Sequence, residues 1–449
     1  MKTVRFVHCV DTEGPLNETL ASTFKRLYDA YGVRIKPTMN NLRKIQNCQY
    51  PFKNLSKKLI LSISKTFSPA LLNYNSNWMQ LNKMLKEVTS DNFRNKFKDS
   101  FGKGWLFNWF IMDHVGFNKN PRKRSLGYNK IWDSYIKFYV KNKILNKDGF
   151  HFHHHPPHFS FDANKCATHY FSVKPTIYDV LNRKIIDRNW FPSVFRPGFH
   201  TVRPDINWFV EQFIPFEYSN QSVVNKENNY QKDITSGRFG DWRRSPTSWT
   251  PYQPDLNDYQ SRGKCSHLKA RCLNVGTRLR LINLQDIEQA FNECSKGKNV
   301  IVSFANHDYR DMKNDIYYIY DLILKAKKKF KNINFSWSEA REAMQKITKN
   351  ICKDISYKQT IKKNTLIIEA SNPIFGPQPY FAIKTKNKNY FHDNLDIQEP
   401  FKKWSYSFDE NSINLNDVEK IGWAANDKIG RTTVCTINPK NKNFFIKKI

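Results

Sequence analysis

Over its first 345 residues the chain alternates short β-branched and aromatic runs with longer segments of helical periodicity. The short runs predict strands at 3–10, 150–153, 194–196, 216–219 and 299–304. Apolar residues at helical spacing predict helices at 17–31, 204–213, 284–294 and 315–330. Alternation of this kind folds into a mostly parallel sheet or a β/α barrel, whose active site lies at the carboxyl ends of the strands.

After about residue 345 the pattern changes to short strands separated by Asn, Pro and Gly, predicted at 365–369, 380–385, 404–408 and 432–438. The expected fold class is α/β, a distorted β/α barrel followed by a C-terminal all-β, sandwich-like domain. We expect the barrel to occupy residues 1–345, with a lysine-rich helical insertion around 50–140, and the accessory domain to occupy 346–449.

Composition bounds the class of protein. The 449 residues include 11 Trp, 21 Tyr and 34 Phe, which is enough apolar surface for a packed core despite a net charge of +33. That charge attracts polyanions, but no zinc-finger spacing or RNA-binding motif accompanies it, so no dedicated nucleic-acid site is expected. The eight cysteines form no CxxC, which favours reduced thiols. Without a signal-peptide pattern or an apolar run of about 18 residues, we expect a cytoplasmic protein with no transmembrane segment.

Two carboxylates follow the first predicted strand. Asp11 and Glu13 are two residues apart, and side chains at that spacing on a strand point to the same face. Such a pair suits a metal ligand beside a general base. The alternative is a turn-forming Asp11 that bonds its own backbone before Gly14 and Pro15.

Histidine is concentrated in one segment: five of the 12 histidines lie within 151–158. Imidazole is the commonest metal ligand, so this segment predicts a site for a divalent metal. The alternative is a histidine-rich surface loop that binds metals adventitiously. Three further residues fall near predicted strand ends or in a loop, and each also has a structural interpretation: Arg196, Asp241 and His307.

The segment 149–156 (GFHFHHHP) resembles the second motif of the polysaccharide deacetylase family, which carries the NodB-homology domain. In that motif a glycine precedes a His-x-x-x-His pair, often followed by proline. The resemblance implies that His151 and His155 are metal ligands. Phe152 replaces the usual Ser or Thr, and three neighbours remain alternative ligands: His153, His154 and His158.

The other family motifs have counterparts in the same order. Asp11-Thr12-Glu13 resembles the first motif, which implies that Asp11 is the general base and Glu13 a metal ligand, although the two roles could be exchanged. Phe195-Arg196-Pro197-Gly198 resembles the third, whose arginine orients the base. Asp241-Trp242 resembles the fourth motif, in which an acid stands beside a tryptophan that forms a wall of the groove. The resemblance implies that Asp241 orients the catalytic histidine. The segment 303–308 resembles the last, which makes His307 the general acid.

The resemblance therefore implies a hydrolase acting on C–N bonds, a metal-dependent deacetylase of an N-acetylated saccharide, acidic substrates included, that serves the biosynthesis of surface polysaccharide or glycoconjugate. Its cofactor would be a divalent ion, zinc first, with cobalt and manganese as alternatives. Two other functions stay open. One is a catalytically inactive carbohydrate-binding barrel, and the other is a glycoside hydrolase that uses Asp11 and Glu13 as its acid pair.

Overall fold

The computed structural model describes residues 2–165, 175–224, 240–277, 279–348, 350–441 and 443–449. Within these ranges, seven parallel strands close into a barrel in chain order, with the seventh returning to the first. The barrel strands are β1 (Thr3–Thr12), β2 (Phe107–Met112), β3 (Gly149–His154), β4 (Val194–Pro197), β5 (Phe216–Asn220), β6 (Leu268–Asn274) and β7 (Ile301–His307). The predicted β/α barrel is confirmed.

The first strand joins the two ends of the sheet. Along one side β1 pairs with β7, and along the other it pairs first with β8 (Asn334–Trp337) and then, from His8 onward, with β2. Side chains that point inward pack around Phe110 and Tyr218, and α12 (Ala340–Gln345) closes the amino-terminal end of the barrel. The opposite end, where the strands finish, opens into a cleft.

Helices surround the barrel and pack through a large apolar layer on its outer face. Those that follow barrel strands are α7 (Lys130–Lys141), α8 (Thr176–Arg188), α9 (Pro204–Phe213), α10 (Leu284–Ser295) and α11 (Lys313–Lys329). A separate helical group precedes β2: α1 (Leu20–Tyr31), α2 (Met39–Gln46), α3 (Lys57–Thr66), α4 (Pro69–Leu72), α5 (Trp78–Val88) and α6 (Asp91–Arg94). Its first helices bury a small core of their own around Phe24, Ile45 and Ile63.

Sequence patterning missed three parallel strands: β2, β6 and β8. The first of them lies inside the expected helical insertion, so part of that segment belongs to the barrel instead. All six residues of β2 are buried because one face packs inside the barrel and the other under helices. A strand buried on both faces has no alternation of polar and apolar residues, which removes the signal that identifies half-buried strands.

The C-terminal strands form two antiparallel sheets, as expected for a sandwich. One holds β9 (Tyr357–Lys362), β10 (Thr365–Ala370), β13 (Asp396–Glu399) and β14 (Lys403–Ser407). The other holds β11 (Tyr380–Thr385), β12 (Tyr390–Asp393), β15 (Val418–Asn426), β16 (Thr432–Ile437) and β17 (Phe444–Lys448). They share a core that includes Trp404 and Trp423. The second sheet also packs on α8, where the Tyr380 hydroxyl lies 3.0 Å from the Asn182 side-chain oxygen.

None of the helices in the described part of the chain combines the length and apolar character needed to cross a bilayer.

Candidate metal centre

Polar side chains from four strands meet at the carboxyl end of the barrel. Nε2 of His307, at the end of β7, lies 3.8 Å from Oδ2 of Asp11 and 3.7 Å from Oε1 of Glu13. Nδ1 of His153 lies 3.8 Å from Oδ1 of Asp11, and Nε2 of His155 lies 3.7 Å from Oε1 of Glu13. Both carboxylates therefore face one centre, because alternate residues of an extended chain share a face.

Arg196, on β4, holds the Asp11 carboxylate from below. Its Nε and Nη2 donate to the two Asp11 oxygens at 2.5 and 3.3 Å, while Nη1 donates to the Tyr218 carbonyl at 2.9 Å. The guanidinium is fully buried. This bidentate, charge-assisted pair fixes the orientation of the carboxylate.

The donors that fit a metal ion are Glu13, His153 and His155, whose ligand atoms all lie within 4.8 Å of one another. Nδ1–H of His153 donates to the Arg196 carbonyl at 2.8 Å, which leaves the lone pair of Nε2 directed into the site. That Nε2 lies 2.9 Å from Nε2 of His155. Two imidazoles and one carboxylate beside an open cleft match the ligand set of a catalytic zinc site.

The electrostatics keep two of these donors, His155 and Glu13, in the forms that a cation requires. Burial lowers the pKa of His155 well below its ordinary value, and His153 and Arg124 lower it further, so the ring is neutral at pH 7. Burial raises the pKa of Glu13, but Arg124 and the neighbouring histidines together outweigh burial and the net shift is downward. Burial also lowers the pKa of His307 well below its ordinary value, with Glu13 opposing.

The structure does not bring His151 to this centre, contrary to the expectation from the family motif. Four residues of extended strand span about 13 Å, whereas two ligands of one ion are close neighbours. His151 instead faces the closed end of the barrel, where its Nε2 lies 2.8 Å from Oε1 of Glu339 and 3.2 Å from Oδ1 of Asn108. The inward-facing histidine nearest to His155 is His153, two residues away.

Asp241 is also placed elsewhere. Its carboxylate accepts two hydrogen bonds from Arg243, at 3.0 and 2.8 Å, and does not line the cleft. The neighbouring Trp242 is fully buried and donates to the His200 carbonyl at 3.1 Å. The dipeptide therefore packs behind the loop that follows β4, so it forms no wall of the cleft. The two other histidines that were alternative ligands also point away, His154 toward Thr176 and His158 toward Ser160.

One residue of the site, Asp308, was given no role of its own by the sequence. Asp308 accepts hydrogen bonds from the backbone N–H groups of Glu13 and Gly14, both at 2.9 Å, and from the Tyr135 hydroxyl at 2.8 Å. Burial raises the pKa of Asp308 to about 7, with those hydrogen bonds opposing. This carboxyl group therefore fixes the loop that carries the candidate ligand Glu13.

The turn after β4 shapes the other wall. Phe199 and His200 both line the cleft with positive φ angles of 53° and 52°, a strained conformation for non-glycine residues that is common at functional sites. Gly198 precedes them, and a Cβ there would come within 2.1 Å of Cδ2 of His155. The glycine of this motif is thus required because the His155 ring packs against its backbone. His200 receives hydrogen bonds at Nε2 from Arg196 and Gln221.

The centre opens into a cleft of about 120 Å³, comparable to the ~150 Å³ cavity that holds one benzene. Its inner end is formed by Asp11, Glu13, His155 and His307, and its outer end by residues of the helical group and of the loop after β7. The cleft has room for one substituent of a substrate, with the remainder in the open mouth.

A second group with ligand-like spacing among the described residues is Glu211, Cys265 and His267, outside the barrel. Here the Glu211 carboxylate already accepts from the backbone of Ser266 and His267 and from Nδ1 of His267, at 2.7 to 3.1 Å. These hydrogen bonds occupy the Glu211 carboxylate and fix the start of β6.

Comparison with known proteins leaves the chain without a family. No protein-family model and no curated protein matches it. Among solved structures, a Cellulomonas fimi endo-beta-1,4-mannanase double mutant shares 10% identity, with 80% of this chain and 88% of that chain covered and a TM-score of 0.28. A likeness this weak assigns neither a family nor an activity, so the resemblance to the polysaccharide deacetylases stays a prediction.

Proposed function

We propose that the protein is a metal-dependent hydrolase that removes an N-acetyl group from a saccharide. The observation that carries the proposal is the convergence of a carboxylate and two imidazoles with a second carboxylate, Asp11, held by Arg196 at the open end of the barrel. Residues 1–345 would form the catalytic unit and residues 346–449 an accessory unit, with zinc, cobalt or manganese as the ion.

In this proposal Glu13, His153 and His155 hold the ion, which when bound polarises an amide carbonyl and makes a water molecule more acidic. Asp11 accepts the proton of the attacking water, since Arg196 holds its carboxylate in a fixed orientation at the open end of the barrel. Water adds to the acyl carbon, the C–N bond breaks, and acetate and an amine are released.

His307 is placed to pass the proton on to the departing nitrogen. Its side chain is 20% exposed, against 6% for Asp11 and 3% for Glu13, so it is the member of the group most open to a substrate. A lowered pKa keeps the resting ring neutral. Its Nε2 lies 3.8 Å from Oδ2 of Asp11, so the proton that Asp11 has taken reaches it through one bridging water or after a small side-chain shift. A low pKa also makes the ring a strong donor once protonated.

The same charges disfavour the glycoside hydrolase alternative. A glycosidase needs one carboxyl group that stays protonated, with a raised pKa, and a second one across the scissile bond. Glu13 has a lowered pKa, because Arg124 and its other neighbours together outweigh burial. Asp11 is paired with Arg196, and both carboxylates face one centre from the same strand end.

The test is acetate release from a panel of N-acetylated saccharides by protein loaded with zinc, cobalt or manganese. We expect Asp11→Asn to lower the rate by about 10²–10⁴ while metal content is retained. Asp241→Asn is the matched control, because its carboxylate pairs with Arg243 outside the cleft, and it should leave the rate unchanged. The proposal fails if metal-loaded protein releases no acetate or if Asp11→Asn is as active as the parent. Metal-independent reducing ends would support a glycosidase, and glycan binding without metal would support an inactive binding barrel.

A further inference from the structure

Arginine dominates the outer half of the cleft. Arg26, Arg122, Arg124 and Arg310 line it, and the carboxylates among the lining residues are Asp11 and Glu13, both at the inner end. Those two are already paired, Asp11 with Arg196 and Glu13 with Arg124. Three guanidinium groups thus face the mouth beyond the candidate metal centre.

Two tyrosines hold these cations in place. The Tyr74 and Tyr309 rings meet edge to face at 6.0 Å, with Arg122 over the first at 5.8 Å and Arg310 over the second at 5.3 Å. The backbone around Tyr74 is bridged to the segment after β7, since Asn75 N–H donates to the Tyr309 carbonyl at 2.8 Å. The arginines are therefore carried on a frame that is tied to the strand end bearing His307.

The positive charge is only partly neutralised. Glu18 accepts Nε and Nη2 of Arg26, at 3.1 and 3.0 Å, and Nε of Arg122, at 3.0 Å. Burial raises the pKa of Glu18, but the two arginines outweigh it and lower the pKa to about 2. One carboxylate thus serves two guanidinium groups. Nη2 of Arg310 is buried and has no hydrogen-bond partner among the described residues.

We infer that the substrate is an anionic saccharide whose carboxylate or phosphate group lies between Arg122 and Arg310, with its acetamido group at Asp11 and His307. The inference rests on the proposed function and names its substrate class. A buried guanidinium donor without an acceptor costs free energy, and the planar guanidinium fork matches both oxyanions. A neutral sugar would leave this charge uncompensated in the outer half of the cleft.

Anion binding can be measured without turnover. Isothermal titration with inorganic phosphate tests the phosphate source, glucuronate tests the carboxylate source, and glucose is the neutral reference. We expect one of the two anions to bind at least about tenfold more tightly than glucose, and Arg122→Gln and Arg310→Gln each to weaken it by about tenfold. The matched control is Arg243→Gln, an exposed arginine paired with Asp241, which should change nothing.

The outcomes separate this inference from the proposed function. The inference is overturned if neither anion outbinds glucose, or if the preference survives both cleft variants. Binding must also persist in a His153→Ala/His155→Ala double variant, because retention there places the anion at the arginines and loss would place it at a metal. If the arginine-dependent preference is found but no acetate is released from any saccharide, the substrate class stands and the deacetylase proposal fails. If neutral saccharides are deacetylated and neither anion is preferred, the deacetylase proposal stands and the anionic substrate class is refuted.

Discussion

Substituting His151 and His153 separately tests which of them binds the metal. The family motif implies His151, whereas the geometry of the site favours His153. We compare His153→Gln with His151→Gln, since the two rings face the barrel interior on the same strand but have different partners. Removing a hydrogen-bond partner of a metal ligand typically weakens metal binding 10–100-fold, so loss of the ligand itself should cost at least ~100-fold, or ~2.7 kcal/mol. His153→Gln should therefore abolish tight metal binding.

His151→Gln should change stability and leave metal binding intact. His151 is the partner of Glu339, whose side chain is only 15% exposed, and the pair links β3 to the start of α12. Loss of a charge-assisted hydrogen bond of this kind costs ~1.5–3 kcal/mol of unfolding free energy.

Titration calorimetry with zinc and urea denaturation of the metal-free protein measure the two effects separately. If His151→Gln loses the metal while His153→Gln retains it, the family motif assigns the ligands correctly and the geometric argument is refuted.

Three further changes address the rest of the site. Arg196→Lys cannot hold Asp11 through two oxygens, so acetate release should fall roughly 10²-fold with metal content unchanged; an equal loss of metal would contradict a positioning role. Gly198→Ala places a Cβ 2.1 Å from the His155 ring, so zinc affinity should drop at least ~10-fold, whereas Gly297→Ala, with no atom within 4 Å, should keep it. Glu18→Gln removes a carboxylate whose pKa falls from 4.5 to about 2 on folding. A shift of this size contributes ~3 kcal/mol to the free energy of unfolding at neutral pH, and the variant should lose that contribution. Because the folded-state pKa is the lower one, that stability is present above about pH 4.5 and lost as the pH falls toward 2; urea midpoints of parent and variant should converge over this range, and a pH-independent gap would refute it.

Much of the barrel could be predicted from the sequence because strands, helices and the direction of alternate side chains follow from local residue patterns. Alternation placed Asp11 and Glu13 on one face, and the strand-end rule placed them at the carboxyl end of the barrel, where the structure also finds His307. The same alternation on β3 puts His151, His153 and His155 on one face. The family motif directed attention to the four-residue spacing of His151 and His155 and away from the two-residue spacing of His153 and His155. The alternation rule that had been applied to Asp11 and Glu13 would have identified the second pair.

Other features depend on contacts that no local pattern encodes. Both β2 and β6 are buried on nearly every residue, so they lack the periodicity of half-buried strands. Arg26 lies in the helical group before β2, and Arg122 lies in the loop between β2 and β3. Both line the same cleft as Arg310, which follows β7. The closure of the barrel brings these distant cations together. The composition alone could not show this, because a chain whose lysines and arginines all lie on a solvated surface has the same composition.

The central claim is that one divalent ion binds through Glu13, His153 and His155. X-ray absorption at the zinc edge of stoichiometrically loaded protein tests it most directly. The account predicts nitrogen and oxygen ligands at ~2.0–2.1 Å, with two imidazoles and no sulfur. A sulfur ligand at ~2.3 Å would place the ion at Glu211, Cys265 and His267, and that result, or the failure of the protein to bind zinc at all, would contradict the account.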